Sequence, residues 1–131
     1  MKIAQVAPLI ESVPPRLYGG TERIVSYLTE ELVSLGHDVT LFASGDSITS
    51  AELSSCCIRS LRLDPTVRDT IPHFMLMIDK VLERAEEFDV IHFHIDLFPF
   101  SAFPLTSSSD LDHASRPAGF RGSQTLLSSL R

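Results

Sequence analysis

The chain has 131 residues and a mass of 14.5 kDa, which fits one domain and is too short for two full domains with a cleft between them. Hydrophobic residues at 44% and charged residues at 21% suit a buried core and exclude a disordered polymer, while a net charge of -6 leaves no basic field for nucleic acid or for acidic lipid. The longest apolar run, Phe74 to Ile78, is about a quarter of a membrane span, and the start Met-Lys-Ile-Ala-Gln lacks the apolar stretch of a signal peptide, so a soluble, cytoplasmic chain is expected.

Lys2 to Ala7 is a short run rich in Ile, Val and Ala that ends at Pro8, the pattern of a strand buried on both faces. Pro8 to Gly20 holds three prolines and two glycines and reads as a long, flexible loop with a functional role. Thr21 is the expected N-cap of a helix whose buried stripe is Ile24, Leu28 and Leu32 with Val25 and Leu35, and Gly36 is its expected left-handed terminator. His37 follows that terminator and complements the helix end. Asp38 to Ala43 is a second strand, closed by Ser-Gly-Asp turn chemistry, so the first unit is βαβ and the two strands are parallel.

Ala51 to Leu63 is ambiguous, with Ile58, Leu61 and Leu63 on one side of either a strand or an irregular segment. The adjacent Cys56 and Cys57 read as reduced thiols that pack, because a bridge between neighbours is strained. Pro72 opens a second helix over Phe74 to Phe88, with Met75, Ile78, Leu82 and Ala85 as its apolar stripe. Val90 to Phe93 is a third parallel strand, and His92, His94 and Asp96 sit at its end. Beyond Phe100 the composition changes: 8 basic and 15 acidic residues precede that point, 3 basic and 2 acidic follow it, and eight serines accompany a loss of all periodicity. Residues 1–100 therefore read as a Rossmann-like α/β domain with a parallel sheet, and residues 101–131 as an irregular or disordered tail.

Open α/β sheets bind ligands outside the carboxyl ends of their strands, which puts the long loop and the His-rich strand end on one rim. Gly19-Gly20-Thr21-Glu22 lies at a helix N-terminus, where free amides and the positive end of the dipole favour an anion. The same four residues also suit a tight loop-to-helix turn with no ligand. They are not the dinucleotide fingerprint, since no third glycine follows inside the helix. Arg16 and Tyr18 stand beside them as a donor fork and a ring for a sugar or phosphate. His92, His94 and Asp96 alternate along one face, a spacing that suits either a metal or a polar pocket without one; the pocket is the favoured reading. Glu30, Glu31, Glu86 and Glu87 read as surface charge.

Taken together, Met-Lys-Ile-Ala-Gln-Val-Ala-Pro at the start, Tyr18-Gly19-Gly20-Thr21-Glu22-Arg23, Leu35-Gly36-His37-Asp38-Val39-Thr40-Leu41-Phe42-Ala43 and Phe88-Asp89-Val90-Ile91-His92-Phe93-His94 resemble the N-terminal, acceptor-side half of a family 4, GT-B type, retaining glycosyltransferase. The resemblance covers roughly residues 1–98 and implies transfer of a sugar from a nucleotide-sugar donor to a sugar or lipid acceptor, without a cofactor or a metal. It puts Gly19, Gly20 and Thr21 at the donor phosphate or the transferred sugar, with Arg16 and Tyr18 nearby and His94 near the cleft floor. It also implies a second domain with an acidic E-x7-E donor motif that this chain does not contain, so the chain alone is expected to be an inactive, truncated fragment. The family's Thr-x-His-Gly strand end is missing too. Re-reading Asp112 to Leu130 in a shifted frame, with free choice of wobble bases, yields TTLHGRLDFEEVKRFYRAF, which restores it; a frame change between about Phe98 and Asp112 would account for the altered tail. Two other functions stay open: a non-catalytic sugar- or nucleotide-binding module, and a metal-dependent hydrolase built on His92, His94 and Asp96.

Overall fold

In a computed structural model of the chain, residues 1–95 are described with their side chains and residues 125–128 by their backbone. The elements are β1 (Lys2–Val6), α1 (Gly20–Ser34), β2 (Asp38–Ser44), β3 (Glu52–Cys57), α2 (Ile71–Glu83), β4 (Val90–Phe93) and β5 (Thr125–Ser128), with single 3-10 turns at Leu61–Leu63 and Ala85–Glu87. They build one sheet in the order β3-β2-β1-β4-β5, and every neighbouring pair is parallel. The expected Rossmann-like α/β sheet with flanking helices is therefore the observed one.

Period-two alternation sorts the strand side chains onto the two faces. Ala4, Val6, Phe42, Ile91 and Phe93 turn to α2, where they pack with Phe74, Met77, Ile78, Val81, Ala85 and Phe88. Ala7, Leu41 and Ala43 turn the other way and form a smaller core with Val25 of α1 and Val13 of the long loop, against Leu53 of β3. Burying each of the larger apolar side chains stabilises the fold by roughly 1.5–3 kcal/mol. Arg84, just past α2, lies 5.7 Å from the Phe42 ring centre and 5.5 Å from that of Phe88, and pairs with Glu52 of β3 at 3.1 Å.

Several expectations need correction. Thr21 is not the N-cap: α1 starts at Gly20, Gly19 occupies the cap position, and no side chain caps the helix end. The inward face of α1 is Glu22, Val25, Ser26 and Thr29, with Leu28 and Leu32 half-buried, and Ile24 and Leu35 are exposed. Ser26 and Thr29 are small enough to sit against the sheet, and the helix turns its bulkier apolar residues outward. In α2 the buried stripe is Phe74, Met77, Ile78 and Val81 rather than one through Met75, which is exposed, and the helix ends at Glu83 instead of continuing to Phe88. The ambiguous segment contains an edge strand, β3, followed by a 3-10 turn, and Ile58 is exposed beyond the strand. Finally, Thr125–Ser128, inside the segment read as irregular, pairs with β4 from Val90↔Thr125 to Phe93↔Ser128. Four residues are too few to show a period, so long-range pairing alone reveals that strand. The helix terminator is as expected: Gly36 has φ +89°, its N–H donates to Val33 O, and His37 N–H donates to Leu32 O, a paired closure of the last turn.

Candidate ligand-binding rim

The loop from Pro8 to Gly19 was expected to be flexible, and the structure shows it held on both sides. Leu61 and Arg62 donate their N–H groups to Leu9 O and Ile10 O, and Arg62 Nε pairs with Glu11 Oε1 at 2.7 Å. On the other side the buried N–H of Val13 donates to Ser47 Oγ at 2.9 Å, and Ile48 N–H donates back to Val13 O at 2.8 Å. Ser44 Oγ donates to Asp46 Oδ1 at 2.6 Å, so the 3.3 Å contact between the Ser47 and Ser44 hydroxyls runs from Ser47 as donor. Asp46 also accepts Ser60 N–H at 3.0 Å. Burial pushes the Asp46 carboxyl up, and the hydrogen bonds from Ser44 and Ser60 outweigh it, leaving the group below its ordinary value. The turns after β2 and β3 thus splint the loop that leads to the two glycines.

Gly19 has φ +152°, and a Cβ built there would stand 2.7 Å from Glu22 Oε2 and 3.0 Å from Pro15 Cβ. No other residue fits that position without a shift. Glu22 is buried in the first turn, on the inner side of the positive end of α1. Gly20 is different: it is exposed, and nothing lies within 4 Å of a Cβ built on it. Its main chain is open to a ligand. Thr21 is half-buried behind it, and Arg16 and Tyr18 are exposed with no hydrogen bond or ion pair to any described residue. Because α1 runs back from the carboxyl end of β1 to the start of a parallel β2, its N-terminus lies at the carboxyl rim.

The end of β4 supplies the other side of that rim. His94 N–H donates to Val6 O at 2.9 Å, and its Nε2 donates to Gln5 Oε1 at 2.6 Å, which leaves Nδ1 as the acceptor. His94 is 5% exposed and Gln5 1%. The His92 ring lies 4.0 Å from that of His94, centre to centre. Burial, and then the neighbouring His92, push the His94 imidazole down to about 4, and burial lowers His92 as well, so both are neutral near pH 7. Asp96, the third residue of the alternating His92, His94 and Asp96 set, lies outside the described residues. Among the described residues no three His, Cys, Asp or Glu side chains gather as a metal site. Cys56 and Cys57 are free thiols packed against the main core, and burial pushes Cys56 up to about 11. At the end of β3 an open cleft of about 470 Å³ is bounded by Ile58, Leu61, Asp64, Val67 and His73.

Sequence reasoning missed Gln5, Ser47 and Glu30. Gln5 had a signal, a lone amide inside an apolar strand. Ser47 had none beyond its turn. Glu30, read as surface charge, accepts hydrogen bonds from Thr49 Oγ1 at 2.7 Å and from the Ser50 hydroxyl and N–H, and so ties α1 to the β2–β3 connection. Burial raises its carboxyl, but those hydrogen bonds prevail and lower it.

A parallel sheet flanked by a helix on each face, with the exposed Gly20 main chain at its carboxyl rim, defines a Rossmann-like α/β domain. The Glycosyltransferase Family 4 profile matches residues 18–109, and the chain belongs to that family. Among solved structures it is similar to AviGT4, described as a glycosyltransferase involved in avilamycin A biosynthesis, with 24% identity and a TM-score of 0.54 over 97% of this chain. The match spans 31% of that chain, so this protein covers about a third of the length of its solved relative. At that identity the likeness establishes the fold. No curated protein matches the chain. No helix among the described residues is long and apolar enough to cross a membrane.

Proposed function

We propose that the chain serves glycosyl transfer, with retention, from a nucleotide-sugar donor to a sugar or lipid acceptor, as the acceptor-side part of a two-domain site in the cytoplasm. The observation that carries this reading is the exposed Gly20 main chain at the N-terminus of the 15-residue helix α1, with open space where a side chain would stand. The amides of Gly20 and Thr21 would stabilise negative charge on the departing diphosphate, Arg16 and Tyr18 would flank it, and His94 would form a neutral, hydrogen-bonding floor. Orientation of the reactants and leaving-group stabilisation then supply the rate, without a protein nucleophile. One helix end gives modest anion affinity in water, so the chain by itself holds a donor weakly and transfers nothing.

Titration of the ¹⁵N-labelled chain with uridine diphosphate glucose and with guanosine diphosphate mannose tests this reading. Amide shifts confined to Gly19–Glu22 and His94, with no sugar transferred, are expected. Shifts elsewhere on the surface, or none up to millimolar ligand, would remove the rim from the site, and turnover by the chain alone would refute its inactivity. We also read the tail beyond about residue 100 as a shifted-frame product; a gene that shows no Thr-Leu-His-Gly frame behind it would end that proposal.

A further inference from the structure

The solvent face of α1 is unusual for a helix on the outside of a sheet. Ile24, Tyr27 and Leu35 are 63%, 67% and 65% exposed, and with Glu31 they fall on one line along the helix at spacings of three and four. Leu17 and Tyr18, in the loop just before the helix, are also exposed, at 92% and 77%. The charges on this face are also placed against the helix dipole. Arg23 sits at the positive end and Glu31 in the last turns, where no basic residue offsets it. Both are exposed, and neither side chain forms an ion pair or hydrogen bond with a described residue. Each placement costs the monomer a few tenths of a kcal/mol.

We propose that this face pairs with the same face of a second copy, the two α1 helices running antiparallel about a twofold axis near Tyr27. That orientation brings Arg23 and Ile24 of one copy within a turn of Glu31 of the other, twice by symmetry. The apolar centre of Tyr27 and Leu28 is then flanked by two Arg–Glu pairs, and each helix end meets a charge of the sign its dipole favours. A parallel arrangement would set Arg23 against Arg23 and is disfavoured. A 15-residue helix is about 22 Å long, so the interface is small and a dissociation constant of tens of micromolar, roughly, is the scale expected. The inference does not depend on the sugar-transfer reading.

Sedimentation equilibrium on the purified chain up to about 0.2 mM, a range that reaches weak interfaces, is the test. The expected result is a monomer–dimer equilibrium that weakens about tenfold or more in Arg23→Glu and in Glu31→Arg, because like charges then meet, and returns to within about threefold of the parent in the double swap. Circular dichroism establishes that each variant is folded; if a single variant fails to fold, Tyr27→Ala, which removes the central contact, takes its place with the same expected weakening. A chain that stays monomeric, an assembly larger than two, or a dimer indifferent to these substitutions overturns the proposal.

Discussion

Gly19 and Gly20 are neighbours with opposite requirements. Gly19 holds φ +152° with a carboxylate oxygen 2.7 Å from where a Cβ would go, so Gly19→Ala combines backbone strain with a clash. A loss of about 2–3 kcal/mol in a urea titration is expected, and a change under about 0.5 kcal/mol would show that the position is not constrained. Gly20→Ala meets no neighbour and should leave stability within about 0.5 kcal/mol of the parent or raise it slightly through helix propensity. His94 makes a separate statement about pH. Its folded value of about 4 lies below the ordinary 6.5, so between those values the unfolded chain binds more protons than the folded one. Stability is therefore complete above pH 6.5 and declines, on the order of 3 kcal/mol in all, as pH falls through 4. Thermal unfolding at pH 7, 5.5 and 4.5 should show this slope, and His94→Gln should flatten it; an equally steep profile in that variant would assign the effect elsewhere.

The loop between β1 and α1 gains its order from partners far along the chain. Val13 gives its N–H to Ser47 and takes one from Ile48, thirty-four and thirty-five residues on, while Leu9 and Ile10 are held by the turn after β3. Ser47→Ala leaves the buried N–H of Val13 without its acceptor, at a cost of about 1–3 kcal/mol. Hydrogen exchange should quicken at residues 13–20 in that variant while the amides of β2 keep their protection, and uniform loss of protection would mean that the loop is not separately held. In α1 itself Ser26 and Thr29 are buried beside Val25, so hydrophobic periodicity was right about Val25 and wrong about Ile24 and Leu35, which are exposed. The terminator at Gly36 was legible because its reason is local, a left-handed turn that closes the last carbonyls.

The two faces of the sheet are unequally filled, and the fold leans on the α2 side. Phe42 is fully buried there, with its ring 6.0 Å from that of Phe88 at 78°, edge to face. Phe42→Ala should cost about 3–5 kcal/mol against a total of about 5–15 for a domain of this size, a large share of the margin that lowers the unfolding midpoint well below the parent's. Near-ultraviolet circular dichroism against temperature measures it, and a midpoint within a few degrees of the parent would show that the larger core does not carry the stability.

Local chemistry in the chain was enough for the βαβ unit, the second helix, the strand ending at Phe93 and the glycine pair at the head of α1, since each rests on residues within a few positions of one another. Contacts between distant segments decided the rest. The His94–Gln5 hydrogen bond joins residues 89 positions apart, β3 is an edge strand whose polar Ser54 and Ser55 hide its pattern, and β5 exists through pairing with β4. Sequence periodicity records which residues prefer burial, whereas packing chooses which of them are buried, because a helix can roll about its axis and a strand takes its place only when a neighbour offers its hydrogen bonds.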